Sequence, residues 1–231
     1  MQTFGTRPTI KFKPQPLKVI AIGDSLIYGY GDKEGGGWVE RLKRRWMYGE
    51  NEHVLYNLGI RGDRTSQVKQ RLALEYKYRG ELRNRYPDRI IISVGVNDSP
   101  RLGRKAGKNL TDYKQFCQEI EELLNQAQQL CPVFFIGMIP VNEEKMPFLD
   151  CFYYNRRDQY RYKEATKQAC ETLNIPYLDT FDLWISRGEN WIKNHLCEDG
   201  LHPNIQGYQS LYQDISQWQP LQLMIEKYSN P

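Results

Sequence analysis

Short apolar runs alternate along the chain with stretches in which apolar residues recur every three or four positions. Val19-Ile20-Ala21-Ile22, ended by Gly23-Asp24, has the length and continuity of a strand buried on both faces. Val54 to Leu58, ended by Gly59, Arg89 to Val94, bounded by Gly95, and Val133 to Ile136 read the same way. Ile175 to Leu178 reads as a fifth strand, with Pro176 pointing to an edge or a strand start. Between these runs the spacing is helical. Trp38, Leu42 and Trp46 share one face of a helix over about 38–48, and Val68, Leu72 and Tyr76 one face of the next. Phe116, Ile120, Leu123, Leu124 and Ala127 mark a third helix, with Thr111 as its expected N-cap. A long helix follows at roughly 156–173, and a last one carries Tyr208, Leu211, Tyr212 and Ile215 in a stripe.

Alternating strands and helices predict an α/β fold: a parallel sheet with helices on both faces, joined by right-handed crossovers. Residues 1–17, with Pro8, Pro14 and Pro16, read as an extended arm, and residues 18–231 as a single domain. Five strand–helix units use up the 231 residues, without an internal repeat or a low-complexity linker. In such a sheet the ligand site lies beyond the carboxyl ends of the strands.

Composition narrows the class. No run approaches the ~18–20 apolar residues that cross a bilayer, so stable membrane insertion is not expected. The first residues lack the apolar core of a secretory signal. The five cysteines, at 117, 131, 151, 170 and 197, are scattered and odd in number, which suits free thiols in a reducing cytoplasm. Basic residues exceed acidic ones by 32 to 28, and Arg41-Leu42-Lys43-Arg44-Arg45 is the densest basic run. These cations fall on the solvated side of the helix whose other face carries Trp38, Leu42 and Trp46, so a nucleic-acid partner is not expected. The sequence leaves homo-oligomerisation open.

The strand-end loops carry the polar chemistry. They hold Gly23-Asp24-Ser25-Leu26, Asn57 to Asp63, and Gly95-Val96-Asn97-Asp98, and near the C-terminus lies Asp199-Gly200-Leu201-His202-Pro203. A serine hydroxyl becomes a nucleophile when a neutral imidazole takes its proton. The imidazole in turn needs a carboxylate to fix its tautomer, and the tetrahedral oxyanion needs preorganised N–H donors. Ser25 can be the nucleophile, His202 the base and Asp199, three residues before it, the orienting carboxylate. Gly62 can offer an unobstructed backbone N–H, with Gly59 a nearby competitor, and Asn97 can offer its amide. Asp24 and Asp98 read as carboxylates that stabilise turns.

With these four segments in this order, the chain resembles the SGNH hydrolases, the GDSL lipase/esterase family. Gly23 to Leu26 is similar to the first block, Gly62 to the second-block glycine, Gly95-x-Asn97-Asp98 to the third and Asp199-x-x-His202-Pro203 to the last. The likeness runs from about Lys18 to Trp218. It implies a flavodoxin-like three-layer fold with five parallel strands in the order 2-1-3-4-5. It implies hydrolysis of carboxylic esters or thioesters with neither metal nor cofactor, and an oxyanion hole formed by the Ser25 and Gly62 N–H groups and the Asn97 amide. The expected partner is a small-molecule ester with a short or medium acyl group. A thioester, or an acetylated carbohydrate, fits the same motifs. The aromatic segment 146–162 matches no family block; it reads either as an acyl-binding wall or as packing between helix and sheet or between subunits.

Three other readings compete. His195, Cys197, Glu198, Asp199 and His202 crowd together as metal ligands would, but their spacing fits no zinc pattern. Gly29-Tyr30-Gly31 opens like a dinucleotide fingerprint, yet Glu34 stands where its third glycine belongs. A non-catalytic binding module of the same fold would leave the full set of catalytic residue types unexplained.

Overall fold

The computed structural model describes residues 15–48, 52–80 and 85–229. Most of the expected N-terminal arm, residues 1–14, lies outside them.

Five parallel strands form the central sheet: β1 (Lys18–Gly23), β2 (Val54–Gly59), β3 (Arg89–Ser93), β5 (Val133–Ile136) and β7 (Tyr177–Leu178). Their order is β2-β1-β3-β5-β7. Counted within this sheet alone, that is the expected 2-1-3-4-5. The two remaining strands, β4 (Arg101–Leu102) and β6 (Phe152–Tyr153), pair antiparallel in a small separate sheet. Helices α1 (Ser25–Tyr28), α2 (Gly37–Met47), α3 (Thr65–Tyr78), α4 (Tyr113–Leu130) and α5 (Arg156–Thr172) run between the strands, and α6 (Thr180–Ser186), α7 (Glu189–His195), α8 (Ile205–Gln217) and α9 (Gln219–Ser229) follow the last one.

Each strand sends alternate side chains to opposite faces. Ile20, Ile22, Ile90, Ile92 and Phe135 pack with Val68 and Leu72 of α3 and with Phe116, Ile120 and Leu123 of α4. Val19, Ala21, Ile91, Phe134 and Ile136 pack on the other face with Trp38, Leu42 and Trp46 of α2 and with Leu211 and Ile215 of α8. Two apolar layers on one sheet explain why the strands are continuously hydrophobic, whereas each helix carries only a stripe.

Two sequence expectations are corrected. Asp112, not Thr111, caps α4, its carboxylate accepting from Lys114 N at 2.9 Å. Thr111 instead donates its hydroxyl to Asp98 Oδ1 at 2.7 Å. The fifth strand is shorter than expected. The Ile175 N–H is spent on Cys170 O (2.8 Å), closing the end of α5, and Pro176 has no N–H to give. Only Tyr177 and Leu178 pair, at the sheet edge that Pro176 predicts.

Register positions the site. Gly23 stands opposite Gly59 on one side and opposite Ser93 on the other, so three loops leave the sheet at one level. Gly23 is required there: a Cβ would lie 1.8 Å from the Ser93 carbonyl oxygen. Among the described residues no helix is long and apolar enough to cross a membrane, and all five cysteines are free thiols.

Candidate active site

β1 delivers the chain directly to Ser25. Asp24 caps α1, its Oδ1 accepting from Leu26 N at 2.9 Å. Ser25 therefore occupies the first helical position, where the backbone N–H is not consumed by the helix. The Tyr208 hydroxyl, from α8, donates to Ser25 O at 3.1 Å and braces the turn from outside.

Ser25 Oγ lies 2.9 Å from His202 Nε2, across 177 residues of sequence. His202 Nδ1 lies 2.7 Å from Asp199 Oδ2. The other Asp199 oxygen accepts from the backbone of Leu201 (2.9 Å) and of His202 (3.0 Å), so the carboxylate is held by the turn it orients. Burial opposes ionisation of Asp199, but the hydrogen bonds from the His202 ring and from these two N–H groups prevail and hold its carboxyl below the ordinary range. An ionised Asp199 can only accept, which assigns the imidazole proton to Nδ1 and leaves the Nε2 lone pair facing the Ser25 hydroxyl. Tyr30 meets the imidazole edge-on at 4.6 Å and Phe148 at 5.9 Å, while Arg61 stacks over Tyr30 at 3.7 Å. Ser25 and His202 are both buried, at 4% and 5% exposure.

The second and third segments are tied to each other. Gly62 adopts φ +82°, which favours glycine, and no atom would crowd a Cβ there; its need is conformational. Its competitor Gly59 spends its N–H on Asn57 Oδ1 (3.0 Å), whereas among the described residues nothing accepts from Gly62 N–H. Asn97 sits in a single 3-10 turn (Val96–Asp98) after Gly95 and donates Nδ2 to the carbonyl of Asp63, the residue after Gly62 (3.0 Å). The Tyr154 hydroxyl donates to Asn97 Oδ1 at 3.2 Å. Asp24 and Asp98 act as turn carboxylates: Asp98 Oδ2 accepts from both the N–H (3.0 Å) and the hydroxyl (2.9 Å) of Thr65. Burial pushes the carboxyl of each upward, that of Asp24 to about 7.

The structure thus brings Ser25, Asp199 and His202 into one hydrogen-bonded chain and links Asn97 to the Gly62 turn. It also shows residues that sequence reasoning missed. Arg71, on α3, donates to Asp63 Oδ2 (2.8 Å), Gly23 O (2.9 Å) and Leu58 O (2.8 Å), stapling the Gly62 turn to the strand ends. Tyr30 and Tyr208 were equally hidden, because each acts across a long sequence separation; Phe148 and Tyr154 fall in the aromatic segment 146–162, but their contacts with His202 and Asn97 were not foreseen. The other histidines lie elsewhere: His53 Nδ1 accepts from Leu17 N (3.0 Å), and His195 stacks on Trp191 at 3.6 Å. The rival ligand set around Cys197 does not converge. Among the described residues the one acidic group close enough to share an ion is Glu164, Asp179 and Asp182, and Lys163 Nζ already bridges these three at 2.7–2.9 Å.

A three-layer parallel sheet that carries a serine, an imidazole and a carboxylate in one chain at its carboxyl edge defines a hydrolase. The protein belongs to the GDSL-like lipase/acylhydrolase family, whose model matches residues 21–210, and it is an ester-hydrolysing enzyme. Solved structures share its fold. A lipase/acylhydrolase from Enterococcus faecalis superposes with a TM-score of 0.66 at 22% identity, covering 86% of this chain and 93% of its own. An acetylxylan esterase from Geobacillus stearothermophilus gives 0.63 at 18% identity, covering 88% and 94%. The psychrotrophic esterase EstA from Pseudoalteromonas sp. gives 0.63 at 19% identity, covering 93% and 99%. No curated protein matches the chain.

Proposed function

We propose that the protein cleaves small carboxylic esters through an acyl-enzyme on Ser25. The observation that carries this reading is the chain Ser25 Oγ–His202 Nε2–Asp199, at 2.9 and 2.7 Å. Ser25 Oγ attacks the ester carbonyl carbon as its proton passes to Nε2. Asp199 stabilises the imidazolium that forms and does not itself take the proton. The carbonyl oxygen becomes an oxyanion, received by the N–H groups of Ser25 and Gly62 and by the Asn97 amide. Collapse breaks the bond to the alcohol, whose oxygen takes the proton back from Nε2. A water then repeats the same steps on the acyl-enzyme and releases the acid.

Two clefts lie near these residues, one bordered by Asp199 and the other by Tyr154, which bonds Asn97. One of about 760 Å³ is lined by Tyr28, Tyr30, Lys33 and Asp199. The other, about 560 Å³, is lined by Arg101, Lys105, Met146, Tyr154 and Arg157. Aromatic and apolar side chains line them beside the charged ones, which suits a small ester with both an acyl group and a polar part. They support a short or medium acyl group and a polar leaving group, so an acetylated carbohydrate is the second reading.

The test is hydrolysis of p-nitrophenyl acetate in excess EDTA, with Ser25→Ala alongside. The expected result is EDTA-insensitive turnover that falls by about 10⁴-fold or more in the variant, as for loss of a triad member. Equal rates in the two proteins would overturn the reading.

A further inference from the structure

The aromatic segment before α5 reaches back to the loop after β3 and meets Asn97. Asn97 has little freedom to choose its orientation. Its amide is buried, and one end faces the carbonyl of Asp63 at 3.0 Å. A carbonyl only accepts, so the amide nitrogen must be at that end. The amide oxygen is then committed to the opposite side, where the Tyr154 hydroxyl lies 3.2 Å away. One N–H of Asn97 is spent on Asp63, and the second is left over.

Tyr154 is well held for this task. It is 5% exposed, and Phe148 meets its ring edge-on at 6.3 Å. The next residue, Asn155, caps α5 by accepting from Asp158 N at 2.8 Å and donates to Asp158 Oδ2 at 2.7 Å. Arg101, four residues after Asn97, grips the same buried Asp158 with Nε (2.5 Å) and Nη2 (3.0 Å). Arg101 also pairs with Tyr153 across β4 and β6. A bidentate ion pair and a strand pair therefore lock the segment carrying Tyr154 to the segment carrying Asn97.

We propose that Tyr154 is a positioning residue of the oxyanion hole, its hydroxyl fixing the Asn97 amide so that one N–H is kept for the developing oxyanion. The assignment rests on the esterase reading above. Burial, with the charges of Asp24, Asp98 and Asp199 nearby, pushes the phenol far above its ordinary range, so it remains a donor at any pH where His202 can act as a base. Without that hydroxyl, Asn97 Oδ1 faces an apolar ring edge, and the amide tilts away from the geometry that stabilises the transition state. Ground-state binding of ester does not depend on that N–H, so the loss falls on kcat.

The test is a double-mutant cycle of Tyr154→Phe, Asn97→Ala and the double variant, in p-nitrophenyl acetate hydrolysis, with Ser25→Ala as a reference. Tyr154→Phe should lower kcat about tenfold with KM within about twofold, a fraction of the roughly 10²–10³ lost with a whole donor. In the Asn97→Ala background the same change should cost less than about twofold. Equal losses in both backgrounds would overturn the role of Tyr154 while leaving the esterase reading intact. Turnover that survives Ser25→Ala unchanged would overturn both. Should Tyr154→Phe lower the melting temperature appreciably, Arg101→Lys replaces it in the cycle. It keeps the charge facing Asp158 but loses the fork, and its kcat loss should likewise vanish with Asn97→Ala.

Discussion

At the residue scale the chemistry depends on which atoms can only accept. Asp199 can only accept once ionised, so the His202 tautomer follows from it; the Asp63 carbonyl can only accept, so the Asn97 orientation follows from that. Asp199→Asn presents an amide that can donate to Nδ1, which favours the wrong tautomer. It should lower kcat by about 10³–10⁴-fold with little change in KM, read by steady-state kinetics. Asp24 makes a different prediction. Burial, reinforced by the charges of Asp98 and Asp63, raises its pKa from 3.8 to about 7 against the opposing Leu26 N–H bond. Between those values the folded form binds more protons than the unfolded one, so this group makes stability fall as pH rises and adds no slope above about 7. Asp24→Asn keeps an acceptor for Leu26 N–H but carries no charge. Thermal melts at about pH 5 and about pH 8 should show the variant gaining stability relative to the parent at the higher pH. An unchanged difference between the two melts would contradict this.

At the element scale, packing and site geometry separate. Leu72 is fully buried on α3, against the β1 and β3 face of the sheet. Leu72→Ala should destabilise by about 2–5 kcal/mol in denaturant titrations, while kcat per folded molecule stays near that of the parent. Its neighbour Arg71 points to the strand ends instead. Arg71→Met should depress kcat as well as stability, because it unties the Gly62 turn from Gly23 O and Leu58 O. The core strands were legible in the sequence because Val19 to Ile22, Ile90 to Ile92 and Val133 to Ile136 are apolar on both faces and buried on both. The stripes of α2, α3 and α4 were legible for the complementary reason. Helices α6, α7 and α9 were not, since the first two are too short for periodicity to register. Strand pair β4–β6 escaped because two residues per strand carry no alternation. The five proposed site residues were legible as motif members, three in loops at strand ends and Asp199 and His202 in the turn before α8. Tyr154 was not, because its partner lies 57 residues away and nothing local marks its hydroxyl.

At the scale of the whole molecule, one sheet edge gathers segments spread over nearly the full chain. Ser25 arrives from β1, Gly62 from the β2 loop, Asn97 from the β3 loop and His202 from the approach to α8. The sheet serves as a rigid bench, and the loops supply chemistry and specificity. On the short-acyl reading, kcat/KM across p-nitrophenyl esters should decline as the acyl chain lengthens from acetyl toward palmitoyl. A preference for the longest chains would contradict the short-acyl reading.

The central claim is that one serine carries the reaction, and covalent trapping tests it most directly. The protein is treated with a fluorophosphonate, and intact-mass and peptide mass spectrometry locate the adduct. A single adduct on Ser25 is expected, absent from Ser25→Ala and formed far more slowly in a His202→Ala variant. No adduct on the folded protein, or one that persists in Ser25→Ala, would contradict the account.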